Sequence, residues 1–167
     1  MPDSDLIFNK TVYAADLMSS PVISIRKDAT VAEAAAIMLQ HRVGAVVVID
    51  ENQHYAGMIT ERMLLPEEEA VPFMRGSVAR ILGVEVGDFE NIEEALDEVR
   101  SLIVGDVMST DHPTATSDTT AAKLVDPMVH KTMHHIVILD KRMPVGMVSR
   151  HDLLRLLFDT EDSGGDA

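Results

Sequence analysis

The strongest constraint on this fold is an internal repeat, in which short segments recur with a spacing of 90 residues. Asp16–Ser20 recurs as Asp106–Thr110, and Val46–Asp50 recurs as Ile136–Asp140. Chance matches rarely keep both order and register over such a length, so the pattern indicates a duplicated supersecondary unit. Each copy spans about 50 residues, which is small for an independent hydrophobic core. We therefore expect the two copies to pack together.

The first half of each copy reads as a strand followed by a helix. Val22, Ile23 and Ile25 predict a short strand after Pro21. Thr30 followed by Glu33 is the pattern of a capping box, in which each side chain bonds the other residue's backbone N–H. The helical stripe predicted after it comprises Val31, Ala34, Ala35, Met38 and Leu39.

The second half of each copy reads as a hairpin followed by a helix. Val43–Ile49 is a continuous β-branched run and predicts a buried strand, and Tyr55–Thr60 predicts its hairpin partner. Glu61–Leu65 begins a helix that Pro66 interrupts. Gly57–Thr60 recurs as Gly146–Ser149 with a spacing of 89, so the two hairpin turns differ by one residue.

These elements predict a mixed α/β (α+β) fold of two tandem βαββα repeats that pack on each other in one module. The predicted boundaries are a lead-in at 1–14, repeats at 15–65 and 105–158, a helical insert at 66–104 and a disordered acidic tail at 159–167.

Three predicted helices need comment within this plan. Asn91–Val104 is amphipathic, and its apolar face needs a cover, either the core or a second subunit. A further short helix is predicted at Gly76–Leu82. Pro127 falls inside the helix expected at Ala121–Lys131, which predicts a helix that is kinked or starts late.

Composition excludes several classes of function. A net charge of −14 argues against nucleic acid or an anionic membrane as a partner held by general electrostatics. The chain has no Cys, which excludes disulfides and thiol chemistry. No apolar run is long enough to cross a membrane, and the N-terminus lacks a signal-peptide pattern, so we expect a cytoplasmic protein without a membrane partner.

The stretch Val145–Leu156 carries the most chemistry. Ser149 stands at a predicted helix N-terminus and Asp152 follows three residues later, which brings a hydroxyl and a carboxylate together. A helix N-terminus attracts phosphate, and a carboxylate can accept hydrogen bonds from the two hydroxyls of a ribose. The alternative is that both residues only cap a helix with the stripe Leu153, Leu154, Leu156 and Leu157.

The duplicated pattern resembles the CBS domain pair, also called a Bateman module. The diagnostic segments are Gln40–Asp50 followed by Gly57–Thr60, and Met133–Asp140 followed by Gly146–Asp152. The resemblance implies that the repeats pack through their small sheets. It also implies two clefts between the repeats that bind an adenine ligand: AMP, ADP, ATP or S-adenosylmethionine. It also implies a regulatory module that controls a partner protein, and in this family the modules commonly pair into a homodimer.

The resemblance implies one intact ligand site. Asp152 matches the ribose-binding Asp of the family, Ser149 matches the hydroxyl next to the phosphate, and His151 lies between them. The other residues implied for the adenine pocket are Met147, Val22, Ile23, Val43, Gly44 and Ala45.

The second site departs from the family pattern because Met63 stands where the family has Asp. It would combine the following residues: Thr60, Arg62, Thr114, Ala115, Met133, His134 and His135. The lost diol acceptor predicts an affinity about ten- to a hundredfold weaker.

Two other functions remain as alternatives. One is a protein-interaction scaffold that has lost ligand binding. The other is a metal or pH sensor built from His130, His134 and His135, although no Cys or carboxylate set completes a metal site. No nucleophile–base pair or phosphate-binding glycine loop indicates an enzyme, so we expect neither catalysis nor a catalytic cofactor.

Overall fold

The computed structural model of the chain describes residues 11–64, 92–130 and 133–158. In chain order the elements are α1 (Ala14–Leu17), β1 (Ser24–Arg26), α2 (Val31–His41), β2 (Ala45–Ile49), β3 (Tyr55–Thr60), α3 (Glu61–Leu64), α4 (Ile92–Ser101), α5 (Val104–Val107), β4 (Thr114–Ala115), α6 (Ala121–His130), β5 (His135–Asp140), β6 (Met143–Ser149), α7 (Arg150–Leu153) and α8 (Arg155–Phe158). None of the helices within these ranges is long and apolar enough to span a membrane.

The chain divides into two compact units. Ile23–Thr110 forms the first-repeat unit, and Met1–Val22 together with Asp111–Ala167 forms the second-repeat unit. Each unit contains a three-stranded sheet, β1-β2-β3 in the first and β4-β5-β6 in the second. The mixed α+β fold with two small sheets is therefore confirmed.

Both sheets have one parallel and one antiparallel strand pair. β1 runs parallel to β2 and β4 runs parallel to β5, whereas each hairpin is antiparallel. Ile49 pairs with Tyr55 and Leu139 pairs with Pro144, so the first turn holds one residue more. The predicted difference between the turns is confirmed.

The capping box at the start of α2 is also confirmed. Glu33 accepts from the Thr30 backbone N–H at 2.7 Å, and the Thr30 hydroxyl accepts from the Glu33 N–H at 3.2 Å. The predicted stripe is wrong at Leu39, whose side chain is 81% exposed. Ile37 packs against the core of this unit instead.

Each unit includes the short segment with which the other repeat begins. α1 stands at the start of the first repeat, yet the Ala14 N–H donates to Thr119 O at 2.7 Å in the second-repeat unit. α5 stands at the start of the second repeat, yet the Val104 N–H donates to Ala29 O at 2.8 Å in the first-repeat unit. Ala14 and Val104 are 90 residues apart, and so are Ala29 and Thr119. The same exchange of segments therefore occurs in both units.

Two glycines allow these segments to lie close to the sheets. A Cβ at Gly57 would meet Ser109 O at 2.7 Å and Met108 Sδ at 2.9 Å. At the corresponding position in the other unit, a Cβ at Gly146 would meet the Met18 side chain. Close packing therefore requires glycine at position 57, whereas a Cβ at position 146 would require the Met18 side chain to move.

The predicted helix Asn91–Val104 is shorter than expected. α4 ends at Ser101, Ile103 is 38% exposed, and Val104 begins α5. Val99 and Leu102 pack against the core of the first-repeat unit, so this part of the apolar face is covered by the chain itself. This part of the face therefore does not support the predicted homodimer, which stays a prediction that rests on the family resemblance.

Pro127 does not delay the helix that contains it. α6 begins at Ala121, so the expectation of a late start is wrong. Leu124 and Met128 are buried on its inner face. The predicted helix Gly76–Leu82, the tail and residues 1–10 lie outside the described residues.

We predict that Gly57→Ala destabilises the protein by about 1–3 kcal/mol, because the added methyl overlaps a backbone carbonyl that the sheet holds in place. Urea unfolding measures this change. Gly44→Ala is the control, since a Cβ there meets the exposed carboxylate of Glu61, which can rotate away. We expect less than about 0.5 kcal/mol for that variant. Equal effects would contradict the close-packing argument.

Candidate functional site

Ser149 and Asp152 form a complete capping box at the end of β6. Asp152 Oδ2 accepts from the Ser149 backbone N–H and from its hydroxyl, both at 2.7 Å. The Asp152 N–H in turn lies 3.3 Å from Ser149 Oγ, which accepts from it. The predicted proximity of the hydroxyl and the carboxylate is confirmed. Both residues also cap the helix, which was the role given as the alternative to ligand binding.

The cap leaves part of the Asp152 carboxylate available. Asp152 is only 6% exposed, and its Oδ1 lies 3.9 Å from Arg155 Nη2. A carboxylate has about four lone-pair sites on its two oxygens. Because the cap uses Oδ2, Oδ1 can still accept a hydrogen bond, and capping and ligand binding are compatible.

The helix after Ser149 differs from the prediction. It consists of α7 and α8, of four residues each, with Leu154 between them. Leu154 is 47% exposed, whereas Leu156 is buried. The macrodipole of so short a helix is small, so the prediction of anion attraction at its N-terminus is weakened.

The residues predicted for the intact site fall into two groups, one in each unit. Met147, Ser149, His151, Asp152 and Val22 belong to the second-repeat unit. Ile23, Val43, Gly44 and Ala45 belong to the first-repeat unit, where the parallel register of β1 and β2 places them at one edge of the sheet. The meeting of the two groups in a cleft stays a prediction.

The backbone of this edge is already partly used. Ile23 O accepts from Val47 N–H at 3.1 Å, and Gly44 O accepts from Glu61 N–H at 2.9 Å. The Val43 N–H donates to Met38 O at 3.0 Å. These three groups are therefore less free to bind adenine than the sequence analysis expected.

Glu61 is a residue that the site prediction missed. Its carboxylate lies over Gly44, close enough that a Cβ at residue 44 would be 2.8 Å from Glu61 Oε1. Only the adjacency of Glu61 to Thr60 hinted at this position, because the contact with Gly44 depends on the pairing of β2 with β3.

The second predicted site is also divided between the units. Thr60 and Arg62 belong to the first-repeat unit, and Met63 lies with them in or next to α3. The remaining members belong to the second-repeat unit and are Thr114, Ala115, Met133, His134 and His135. Their combination into one site likewise stays a prediction.

Strand register identifies a histidine that the site prediction missed. Ile23 O accepts from Val47 N–H, and Pro113 O accepts from Val137 N–H at 3.3 Å, which is the same contact 90 residues later. The counterparts of Val22 and Ile23 are therefore His112 and Pro113, rather than Thr114 and Ala115. The repeat spacing alone could have shown this.

Two histidines near this edge have altered acidity. Burial lowers the pKa of His135 below its ordinary value, His134 and His112 lower it further, and Asp152 raises it. Burial also lowers the pKa of His112, with an opposing effect of Asp111. Both imidazoles are thereby biased toward their neutral forms.

Metal binding gains no support in the described ranges. Within them no group of three or more His, Asp or Glu side chains is arranged to hold a metal ion. The side chain of His130 lies outside the description.

A cavity of about 420 Å³ in the second-repeat unit lies away from the predicted sites. It is lined by Asp118 and by Asp140 and Lys141 of the β5–β6 turn, at the opposite end of the sheet from Ser149. None of the predicted ligand residues lines it.

The sequence matches the CBS domain family over residues 14–82 and 104–159. The chain belongs to this family and carries a tandem CBS pair, which is a regulatory module. It is 32% identical to the CBS domain of a CBS domain-containing membrane protein from Sphaerobacter thermophilus, with a TM-score of 0.66 and 87% of each chain covered.

Two further matches differ in what they cover. An A-adding tRNA nucleotidyltransferase of Geobacter sulfurreducens is 28% identical over 91% of this chain, which spans only 14% of that enzyme. A solved CBS domain pair in complex with 5-methylthioadenosine and S-adenosyl-L-methionine is 20% identical, with a TM-score of 0.65, and the match covers 91% of this chain and all of the other. The latter likeness concerns the fold.

We predict that the free energy of unfolding falls as the pH decreases from about 7.5 to 5.5. Because the folded pKa of His135 and His112 lies below the unfolded value, the unfolded chain binds more protons in this range, and stability rises with pH. Urea unfolding at several pH values measures the slope. His135→Gln and His112→Asn should each reduce it, and an unchanged slope in both variants would contradict the assignment.

Proposed function

We propose that the protein is a non-catalytic sensor that binds an adenine-containing ligand, AMP, ADP, ATP or S-adenosylmethionine, mainly through Ser149, His151 and Asp152. Asp152 accepts hydrogen bonds from the ribose hydroxyls, and the edge residues Ile23 and Val43–Ala45 contact the adenine base. Binding alters the module, and a partner protein responds to the change.

The observation that carries this proposal is the state of the Asp152 carboxylate. It is nearly buried, one oxygen is held by Ser149, and among the residues that the structure describes the other has the long contact to Arg155 alone. A buried carboxylate with spare acceptor capacity gains from hydroxyl donors, since hydrogen bonds to a charged group contribute about 1.5–3 kcal/mol.

The comparisons support the ligand class without naming the ligand. A CBS pair of similar fold is bound to 5-methylthioadenosine and S-adenosyl-L-methionine, which supports an adenine-containing ligand as the proposal here. In this chain the corresponding position of the other repeat is Met63, which has no oxygen acceptor for hydroxyl groups. We therefore propose one strong site and one weaker site.

The first repeat supplies a matched control for the experiment. Thr30 and Glu33 form a capping box whose hydrogen bonds, 2.7 and 3.2 Å, nearly equal the 2.7 and 3.3 Å of Ser149 and Asp152. Asp152→Ala and Glu33→Ala thus remove the same half of the same motif. Only the first removes a proposed ligand contact.

We predict that Asp152→Ala weakens binding of the adenine ligand about ten- to a hundredfold, whereas Glu33→Ala leaves the affinity unchanged. Calorimetry measures both, after a thermal-shift screen of AMP, ADP, ATP and S-adenosylmethionine selects the ligand. A ligand present at a hundred times its dissociation constant adds about 2.7 kcal/mol to the free energy of unfolding, which raises the unfolding temperature by several degrees.

Two results would contradict the proposal. If both variants lower the unfolding temperature but neither changes the affinity, Asp152 is a helix cap only. If no adenine compound stabilises the wild-type protein, the module is an interaction scaffold.

A further inference from the structure

One row of side chains crosses the first sheet near its hairpin turn. Arg26 pairs with Ile49, and Ile49 pairs with Tyr55 on its other side. Residues that pair in this way lie on the same face of a sheet. The Arg26 guanidinium donates two hydrogen bonds to Asp28, from Nε and Nη2, at 2.8 Å each. This end of the first sheet therefore carries two long side chains, and the carboxylate beside it already holds a cation.

The corresponding row of the second sheet is smaller and borders a cavity. Leu139 pairs with Pro144, and Thr116, which follows β4, stands 90 residues after the arginine of the first row. Threonine and proline are both much shorter than the arginine and the tyrosine at the corresponding positions. The cavity of about 420 Å³ is lined by Thr116 and Leu139, and Met18 and Val145 add apolar surface to it. Open space in the second-repeat unit thus corresponds to long side chains in the first-repeat unit.

Asp118, the counterpart of Asp28, forms no ion pair within the described ranges. Its Oδ1 accepts a hydrogen bond from the Thr116 hydroxyl, and Lys123 of α6 acts on it by longer-range Coulomb attraction. The hydroxyl keeps the pKa of Asp118 below its ordinary value, so the carboxylate is charged at neutral pH. Its second oxygen retains acceptor capacity. A charged carboxylate therefore lies beside the cavity at the position where the first-repeat unit has an ion pair.

Asp140 differs from its counterpart Asp50 in a similar way. Asp50 Oδ1 accepts from two backbone N–H groups of its own turn, at 2.8 and 2.9 Å. The second hairpin turn is one residue shorter, and in the part of the chain that the structure describes the Asp140 carboxylate makes no hydrogen bond. Asp140 and Asp118 both line the cavity, together with Lys141. The lining thus carries two negative charges and one positive charge.

We propose that this cavity binds a small organic cation, whose guanidinium, amidinium or ammonium group bonds the carboxylates of Asp118 and Asp140 while its apolar part lies against the aliphatic lining. The first-repeat unit provides the precedent, because there the counterpart of Asp118 holds a guanidinium through two parallel hydrogen bonds. Such charged pairs are stronger than hydrogen bonds between neutral groups. The net charge of −14 also favours a cationic ligand. The inference goes beyond the proposed function, since neither carboxylate belongs to the proposed adenine site.

The first experiment uses benzamidine, a planar aromatic cation, and benzamide, a neutral compound of nearly the same shape. NMR of the backbone amides follows both titrations of the wild-type protein. We expect benzamidine to shift the signals of residues 116–118 and 140–141 saturably, and benzamide to bind about tenfold more weakly because it carries no charge. Equal affinities would show that only apolar surface is bound, and shifts confined to other residues would place the cation elsewhere. Either result overturns the proposal.

Variants test the role of the carboxylate. Asp118→Asn keeps the shape of the side chain but removes its charge, and should weaken benzamidine binding about tenfold. Asp28→Asn is the matched control, since Arg26 already occupies that carboxylate, and should leave the affinity unchanged. Thr116→Arg should reproduce the ion pair of the first-repeat unit, fill the cavity and abolish binding.

Circular dichroism verifies that each variant is folded. Wild-type affinity in folded Asp118→Asn and Thr116→Arg proteins would refute the assignment. If a variant does not fold, the comparison of benzamidine with benzamide on the wild-type protein decides the matter.

Two further titrations distinguish other occupants. Carboxylates beside hydroxyl groups can also bind Ca²⁺, so shifts of the same amides by Ca²⁺ but not by benzamidine would make this a metal site and refute the organic cation. Free arginine and N-acetylarginine amide separate a small ligand from an arginine side chain of another protein. We expect free arginine to bind more tightly, because its carboxylate can pair with Lys141. Tighter binding of the capped compound would identify a protein side chain and refute the small ligand.

Discussion

The close approach of one backbone segment to each sheet is the constraint on which both units depend. The Ser109 backbone exchanges hydrogen bonds with Met58 at 2.9 Å, and Ser19 does the same with Met147 at 2.9 and 3.1 Å. A side chain at Gly57 would overlap the Ser109 carbonyl, and one at Gly146 would require the Met18 side chain to move. Each bonded segment lies at the start of one repeat but belongs to the unit of the other repeat, so neither repeat forms its unit alone.

A local capping motif and a ligand acceptor can share one carboxylate. In the first repeat, Glu33 caps α2 on an exposed surface, so it serves the helix alone. Asp152 makes the same bonds but is nearly buried, after a strand whose last residue, Ser149, pairs with His135. The cap holds the carboxylate in place before any ligand arrives, which reduces the ordering that binding would otherwise require.

Much of the fold and part of the site could be predicted from the sequence, because these features depend on local patterns. The runs of apolar residues defined β2 and β3, and the pattern Ser149-x-x-Asp152 defined a cap that the structure contains. Leu39 and Leu154 were assigned to buried stripes on periodicity, yet both are exposed. Periodicity shows which residues share a helix face, but whether that face is buried depends on segments that are distant in the sequence.

The sequence by itself determined the duplicated order of elements, the two hairpins with their difference of one residue, and the asymmetry between Asp152 and Met63. Only the tertiary structure decided that α1 and α5 join the opposite repeats, and that His112 lies opposite His135. The first set depends on interactions between residues close in the chain. The second depends on strand pairing and packing between segments tens of residues apart, for which single residues carry little local signal.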